Sequence, residues 1–398
     1  MTDLSQYNAE FFKPYITIVK YLHSTGQDVF NERNSIYYRM RIWCHILLII
    51  YLVAATCHWL VIVIDVRGGA NLVLLAADLS FCYNITEGVC LQIFFTFHKK
   101  RIQGFIMAME EQWSAAPASP RVADYRTQQI KSLDKYYRIY MGMLRFLVHM
   151  YLAMPLLLVM VQRFVLRQEV DFAKVLPFRF YVPFDFTHDV LKFFGVYMIH
   201  YGIAFTVAYI HNAGLIFLSI TIHHLKVLFV MLQEEFREAI QRNNDDTKQD
   251  LREAMRRHIR LSTMLQELEE AFGSMFFIRL AFFSITLCFF LIAAIINNTA
   301  EDYRNLLACG AIVTNIYNCC RHGHLLTEAA RDVATAIYDS PWEQLDLNTK
   351  KMLTLVMLRA QRVSHLKSTH FVIISLDSWV SVMKTTWSFF SLMQTLYW

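Results

Sequence analysis

Near the C-terminus, Lys384, Ser388, Leu392 and Leu396 recur every fourth position inside an apolar run over 371–398. On a helix that spacing puts them in one stripe, polar at one end and aliphatic at the other. The run holds 28 residues, more than the roughly 20 that cross a hydrocarbon core of about 30 Å. Such a stripe suits the lining of a pore, although a packing face within a helix bundle would show the same spacing. The remaining faces carry Trp379, Val382, Trp387, Phe390 and Met393. Lys384 is an ionisable residue within a span and so a candidate for function. Its long stem equally allows it to snorkel to a vestibule or to pair with a neighbouring subunit.

Other residues offer less. Tyr197, His200 and Tyr201 fall at i, i+3 and i+4 on one helix face, where their polar tips could be aimed into an apolar wall. His223-His224 and His322-Gly323-His324 are of metal-ligating type, but no Cys or carboxylate is spaced to complete a site. Six of the eight cysteines lie within apolar runs and the other two, Cys319 and Cys320, at the end of one, so no disulfide framework is expected. Asn84-Ile85-Thr86 and Asn297-Asn298-Thr299 are sequons, the first inside a span and the second close to one. There is no phosphate-cradling Gly-rich loop, nucleophile elbow or paired-His zinc motif, so neither an enzyme nor a cofactor is expected. The basic residues form no single nucleic-acid-binding face.

The elements that would position these residues are membrane spans. Hydrophobic residues make up 56% of the chain and charged ones 18%, against about 25% charged in soluble domains. Mean hydropathy is +0.31. Seven runs of spanning length occur, over 42–64, 72–97, 139–165, 190–222, 275–296, 303–326 and 371–398. Residues 1–41 are polar and mixed and read as a lead-in with a short amphipathic helix, not a cleavable signal. Counted over the connections and adjacent span ends, 28 Lys and Arg fall on one side and 7 on the other. That asymmetry predicts a cytosolic N-terminus and an extracellular C-terminus, the reverse of a G-protein-coupled receptor. The expected fold is therefore an all-α membrane protein of seven transmembrane helices.

The chain resembles the insect odorant receptors. The resemblance rests on Ala336-Ile337-Tyr338 with Trp342 four further on, Lys350-Lys351, Met357-Leu358-Arg359-Ala360-Gln361, Ser375-Leu376-Asp377 and Trp387-Ser388-Phe389-Phe390. Trp387 stands where the family usually has Tyr, and Arg362-Val363-Ser364 where a Pro follows the Ala-Gln pair. The resemblance implies a ligand-gated, non-selective cation channel of four subunits around a pore lined by the last helix, which is split. It also implies a heterotetramer with a shared co-receptor. Lacking the co-receptor's long insertion in the second intracellular connection, this chain reads as the odour-tuning subunit, placed in the plasma membrane of olfactory sensory neurons.

Carried across from Ser375-Leu376-Asp377, the family's gate falls on Leu392 and Leu396, where a hydrophobic ring can shut a pore by dewetting. Tyr338, Trp342, Arg359, Gln361, Asp377 and Trp387 are the motif positions of the anchor and last helix. The long connection after the fourth span and the helix over 348–361 are expected to pack into a cytosolic anchor, either between subunits or within one. The expected organisation is 1–41 lead-in, 42–222 spans one to four, 223–274 helical connection, 275–328 spans five and six, 329–369 anchor helix and 370–398 pore helix.

The odorant site is expected in the outer half of the bundle, where affinity comes from apolar enclosure plus one or two aimed polar groups. Its candidates are Leu75, Asp78, Leu79, Cys82 and Tyr83 in span two, and Met150, Met154, Leu157 and Leu158 in span three, beside Pro155. Span four offers Phe193, Tyr197, His200 and Tyr201, and spans five and six offer Phe289, Phe290, Leu307 and Ile312. A wall with Tyr and His tips would suit an aromatic or heteroaromatic volatile. A gustatory-type homotetramer and, further off, a seven-span transporter are the alternatives. The transporter would need paired broken helices and repeat symmetry.

Overall fold

In the computed structural model, the described residues are 8–24, 29–30, 36–69, 75–115, 119–167, 176, 184–186, 189–242, 246–296, 300–362, 365–368 and 372–397. Their helices are α1 (Ala9–Ser24), α2 (Ile36–Arg67), α3 (Ala76–Ser114), α4 (Pro120–Met160), α5 (Val190–Arg242), α6 (Thr247–Ile296), α7 (Ala300–Tyr338), α8 (Leu347–Gln361) and α9 (Leu376–Tyr397). A π turn, Val161–Val165, continues α4, and a two-stranded hairpin, β1 (Lys367–Ser368) with antiparallel β2 (Val372–Ile373), precedes α9.

Each of the seven apolar runs lies on a helix, in whole or in large part. Among the described residues, α5 and the stretch Thr247–Ala294 of α6 meet both the length and the hydropathy expected of a span. The helices outlast their apolar runs. With 53 residues, α5 extends about 80 Å at 1.5 Å per residue, more than twice a hydrocarbon core. Its second half, with the start of α6, the end of α7 and all of α8, forms a helical extension beyond the apolar zone. Leu232, Phe236, Leu251, Met264, Leu268 and Leu353 are buried there in the same core that runs the length of the bundle. Buried Arg257 forms an ion pair with half-buried Glu235 across α5 and α6, and Gln233 Nε2 donates to the Ala329 carbonyl at 2.7 Å.

The lead-in helix is amphipathic at helical spacing. Phe11, Tyr15, Ile18 and Leu22 are buried, and Asn8 Oδ1 accepts from the N–H groups of Glu10 and Phe11 at the helix start. His224 lies between the carbonyls of Ile220 (2.8 Å) and Phe11 (3.1 Å). One half of the His223-His224 pair therefore fastens α1 to α5.

Gly323 is required by close approach. A Cβ there would meet the Ile374 carbonyl oxygen at 2.5 Å and Ile374 Cγ2 at 2.7 Å, because the segment leading into α9 lies directly against α7. The flanking histidines diverge, His322 Nδ1 to the Asn318 carbonyl at 2.7 Å and His324 toward Glu328 at 3.4 Å. The last apolar run is not helical from its start, as the sequence suggested. Val372 and Ile373 are β-branched, pair with β1, and leave α9 to begin at Leu376. Ser375 Oγ accepts there from the Ser378 N–H at 3.3 Å.

Candidate functional site

A cavity of about 150 Å³ opens where α3, α4, α5, α6 and α7 converge. Each helix contributes one face. Leu144, Leu147, Val148, Tyr151 and Leu152 come from α4, and Phe283, Thr286 and Phe290 from α6, at steps of three and four. Space remains because several facing positions are alanines, Ala204 and Ala208 on α5 and Ala308 and Ala311 on α7. The volume is that of a cavity able to hold a single aromatic ring, and the lining is mostly apolar with a few convergent polar groups, as small-molecule sites are.

The polar groups gather at one end. Arg279 of α6 is 4% exposed, Glu87 of α3 is 3% and His211 of α5 is 7%. Arg279 Nη1 donates to Glu87 Oε1 at 2.6 Å and to His211 Nδ1 at 2.6 Å. His211 must then carry its proton on Nε2, which donates to the Asn84 carbonyl at 2.9 Å. An arginine buried among apolar helices is tolerable only when paired and hydrogen-bonded, and this network ties three helices together at the cavity floor. Beside it Asn315 Nδ2 donates to Asn212 Oδ1 at 2.7 Å, linking α7 to α5.

Of the residues expected from sequence, Phe290, Leu307 and Ile312 line this cavity. The others are placed elsewhere. Leu75, Leu79 and Cys82 pack against Ile62 of α2. Asp78 is buried, and its backbone carbonyl is 3.0 Å from His58 Nε2. Tyr83 stacks on Phe289 with ring centroids 5.9 Å apart. Met150, Met154 and Leu157 face outward from α4, and nothing is described of the Leu158 side chain. Phe193 and Tyr197 form a separate cluster with Val159, Phe186 and Val196, where the Tyr197 hydroxyl donates to the Leu152 carbonyl. His200 is buried outside the cavity lining, and Tyr201 pairs through its hydroxyl with His149 Nδ1 at 2.5 Å. Tyr197, His200 and Tyr201 lie on the α5 face that meets the cavity but toward its N-terminal end, before the lining begins at Ile203.

Sequence reading passed over Glu87, His211, Arg279 and Thr286. The rule that singled out Lys384 applies to Glu87 and Arg279 as well, since both are ionisable residues within apolar runs. Their mutual pairing was invisible because they stand 192 positions apart.

On α9 the stripe lies open. Lys384, Ser388 and Leu392 are exposed, while Phe390 is buried and Trp379, Val382 and Met393 pack inward. Trp387, expected on a packed face, is 63% exposed. The side chain of Leu396 lies outside the described residues. Tyr338, Arg359, Gln361 and Asp377 are exposed, and Trp342 packs against the core. In the helical extension Tyr338, Leu347, Leu355 and Leu358 leave large apolar side chains uncovered. Exposed apolar groups grouped outside a membrane mark interaction surfaces.

Residues 71–387 match the family described as 7tm Odorant receptor. Among similar chains of Drosophila melanogaster, Odorant receptor 85b is 23% identical over 230 residues, covering 56% of this chain and 58% of that one. Putative odorant receptor 85d is 29% identical over 143 residues, covering 35% of this chain and 34% of its own. Its alignment thus spans about a third of that relative, and the 85b alignment under two thirds of the other. The insect olfactory receptor OR5 from Machilis hrabei, solved in complex with eugenol, superposes with a TM-score of 0.80 at 12% identity, over 96% of this chain and 97% of that one. At that identity what is shared is the fold.

Proposed function

The chain belongs to the 7tm odorant receptor family, whose members are membrane-embedded receptors and not enzymes, and on that footing we propose that it is a subunit of an odorant-gated, non-selective cation channel. The observation that carries this reading is the state of α9. One face of the helix packs on α6 and α7, while the stripe of Lys384, Ser388 and Leu392 is left open by its own bundle. A helix packed on one side, with a polar-to-aliphatic stripe on the other, is what each stave of a shared pore needs. Leu392, with Leu396 one turn on, forms the hydrophobic gate.

The uncovered apolar side chains of the helical extension support assembly, with 223–274 and 329–369 as the anchor between subunits. The seven apolar runs support seven spans and the lysine and arginine asymmetry a cytosolic N-terminus, and membership of the family supports a place in the plasma membrane of olfactory sensory neurons. The ligand is a small volatile, and its site is the cavity between α3 and α7. Leu307 and Phe290 lie at the outer end and Arg279 and Glu87 at the inner one, so the site reaches deeper than the outer half of the bundle. Partner subunits are copies of the shared co-receptor.

The test is whole-cell recording across an odorant panel, with the chain expressed alone and with a co-receptor. Odorant-evoked cation current is expected only on co-expression. Current from the chain alone would identify a homomeric, gustatory-type channel instead. Absence of any evoked current from complexes present at the surface would refute the channel reading.

A further inference from the structure

Two cations stand unbalanced where α5 and α7 leave the apolar zone. Lys226 of α5 is half-buried and Arg321 of α7 is exposed. They lie close enough to repel each other, and burial, with Arg321 adding to it, holds the Lys226 ammonium below the ordinary lysine value. One turn before Lys226 and one residue after Arg321, His223 and His322 pack edge to face, with ring centroids 5.5 Å apart. The ring nitrogens of His223 are closed off from solvent. The histidines are therefore backing, and the accessible charges are those of Lys226 and Arg321.

No carboxylate answers them. Neither cation has an ion pair among the described residues. Going inward, the first carboxylates of α5 and α7 are Glu234 and Glu328, two turns further on, and they are taken by Arg237 and His324. Helix α4 reaches the same level, since the Tyr136 hydroxyl donates to Asn318 Oδ1 at 2.9 Å. There Asp134 is paired with Arg138, and exposed Lys135 adds further positive charge. Adjacent cations, one of them partly desolvated, call for an anion between them.

The level of the pair identifies the anion. The apolar run over 190–222 ends just before Lys226, and the run over 303–326 ends just after Arg321. Tyr136 and Tyr317, 43% and 38% exposed, stand at the same depth, and tyrosines gather where a bilayer meets water. In the topology proposed above this is the cytosolic boundary. Anionic phospholipids concentrate on that side, and basic pockets between spans hold their head groups.

We propose that Lys226 and Arg321 together hold the phosphate of an anionic phospholipid of the cytosolic leaflet, seated in the groove between α5 and α7. The guanidinium meets phosphate oxygens as a fork and the ammonium as a point charge. The assignment rests on the topology reading above and is independent of the odorant cavity.

The experiment places the full chain with its co-receptor in bilayer discs of phosphatidylcholine carrying a photoreactive phosphatidylserine. Labelled residues are read by peptide mass spectrometry. Labelling is expected on this chain beside Lys226 and Arg321, and a photoreactive phosphatidylcholine should label them far less. Lys226→Gln and Arg321→Gln should each raise the phosphatidylserine fraction at half-maximal labelling roughly fivefold, and together roughly thirtyfold. Lys226→Arg with Arg321→Lys keeps both charges and should retain most of the labelling. Equal labelling by phosphatidylcholine, or labelling unmoved by the double glutamine variant, would overturn the proposal. Displacement by millimolar inorganic phosphate would assign the groove to a soluble anion and overturn the lipid.

Arg321→Cys, probed with a membrane-impermeant maleimide in intact and permeabilised cells, reads the topology separately. If it reacts only after permeabilisation while phosphatidylserine labels nothing there, the topology stands and the lipid site fails. Reaction in intact cells would refute the topology itself. No added reaction from either side would mean that a partner subunit covers the groove, which also overturns the lipid site.

Discussion

Removing the arginine from the cavity floor gives the sharpest test of the site's architecture. Arg279→Met deletes the donor to Glu87 Oε1 and to His211 Nδ1 while roughly keeping the side chain's bulk. Glu87 is 3% exposed and would be left as a lone carboxylate among apolar helices. Breaking one side of a buried pair costs about 3–5 kcal/mol, a large share of the roughly 5–15 kcal/mol that holds a domain together. The melting temperature of the detergent-solubilised complex, followed by fluorescence-detected size exclusion, should fall by roughly 4–6 °C. Glu87→Gln alone should cost less, because the amide oxygen still accepts from Nη1. The double variant Glu87→Leu with Arg279→Met removes both charges and should recover much of the loss, because exchanging a buried ion pair for apolar side chains is often neutral. The coupling energy from the four-variant cycle should be of the order of 2 kcal/mol. Additive losses, or an Arg279→Met complex melting within 1–2 °C of the parent, would refute the claim that this pair is buried and mutually dependent.

Other outcomes follow from single contacts. Gly323→Ala places a methyl 2.5 Å from the Ile374 oxygen and should cost about 1–3 kcal/mol as overpacking. Because Ile374 leads into α9, the same change should shift the odorant dose–response. Normal melting and gating would show that the approach is slack. Leu392→Ser should raise resting current by wetting the aliphatic end of the stripe, and unchanged resting current and permeability would remove Leu392 from the gate. Burial, with Arg359 adding to it, pushes the His258 imidazole down to about 4, against about 6.5 when unfolded. Its contribution to stability is therefore complete above about pH 6.5 and is lost as pH falls toward 4. His258→Leu should flatten the melting temperature between those values, and an unaltered pH profile would exclude it.

The sequence alone determined the class of the molecule and most of its helices. Apolar runs of spanning length, a low charge fraction and lysines and arginines gathered at alternate connections are local properties, set by the cost of placing charge in hydrocarbon. The exposed stripe on α9 was legible for the same reason, since Lys384, Ser388 and Leu392 need only helical spacing to share a face. The length of α5 and α6 beyond the apolar zone was also readable, from amphipathic spacing after residue 222. The tertiary structure alone decided where the cavity lies. Tyr197, His200 and Tyr201 share a face as expected, and Ala204, Val207 and Ala208 continue it, but how far along α5 the neighbouring helices leave a gap is set by their packing, and periodicity carries no information about depth. The cavity exists because alanines of α5 and α7 meet across a gap, and its polar floor because Glu87, His211 and Arg279 converge from three helices. Those meetings join residues up to 192 positions apart, and only the packing of whole helices brings them within hydrogen-bonding reach.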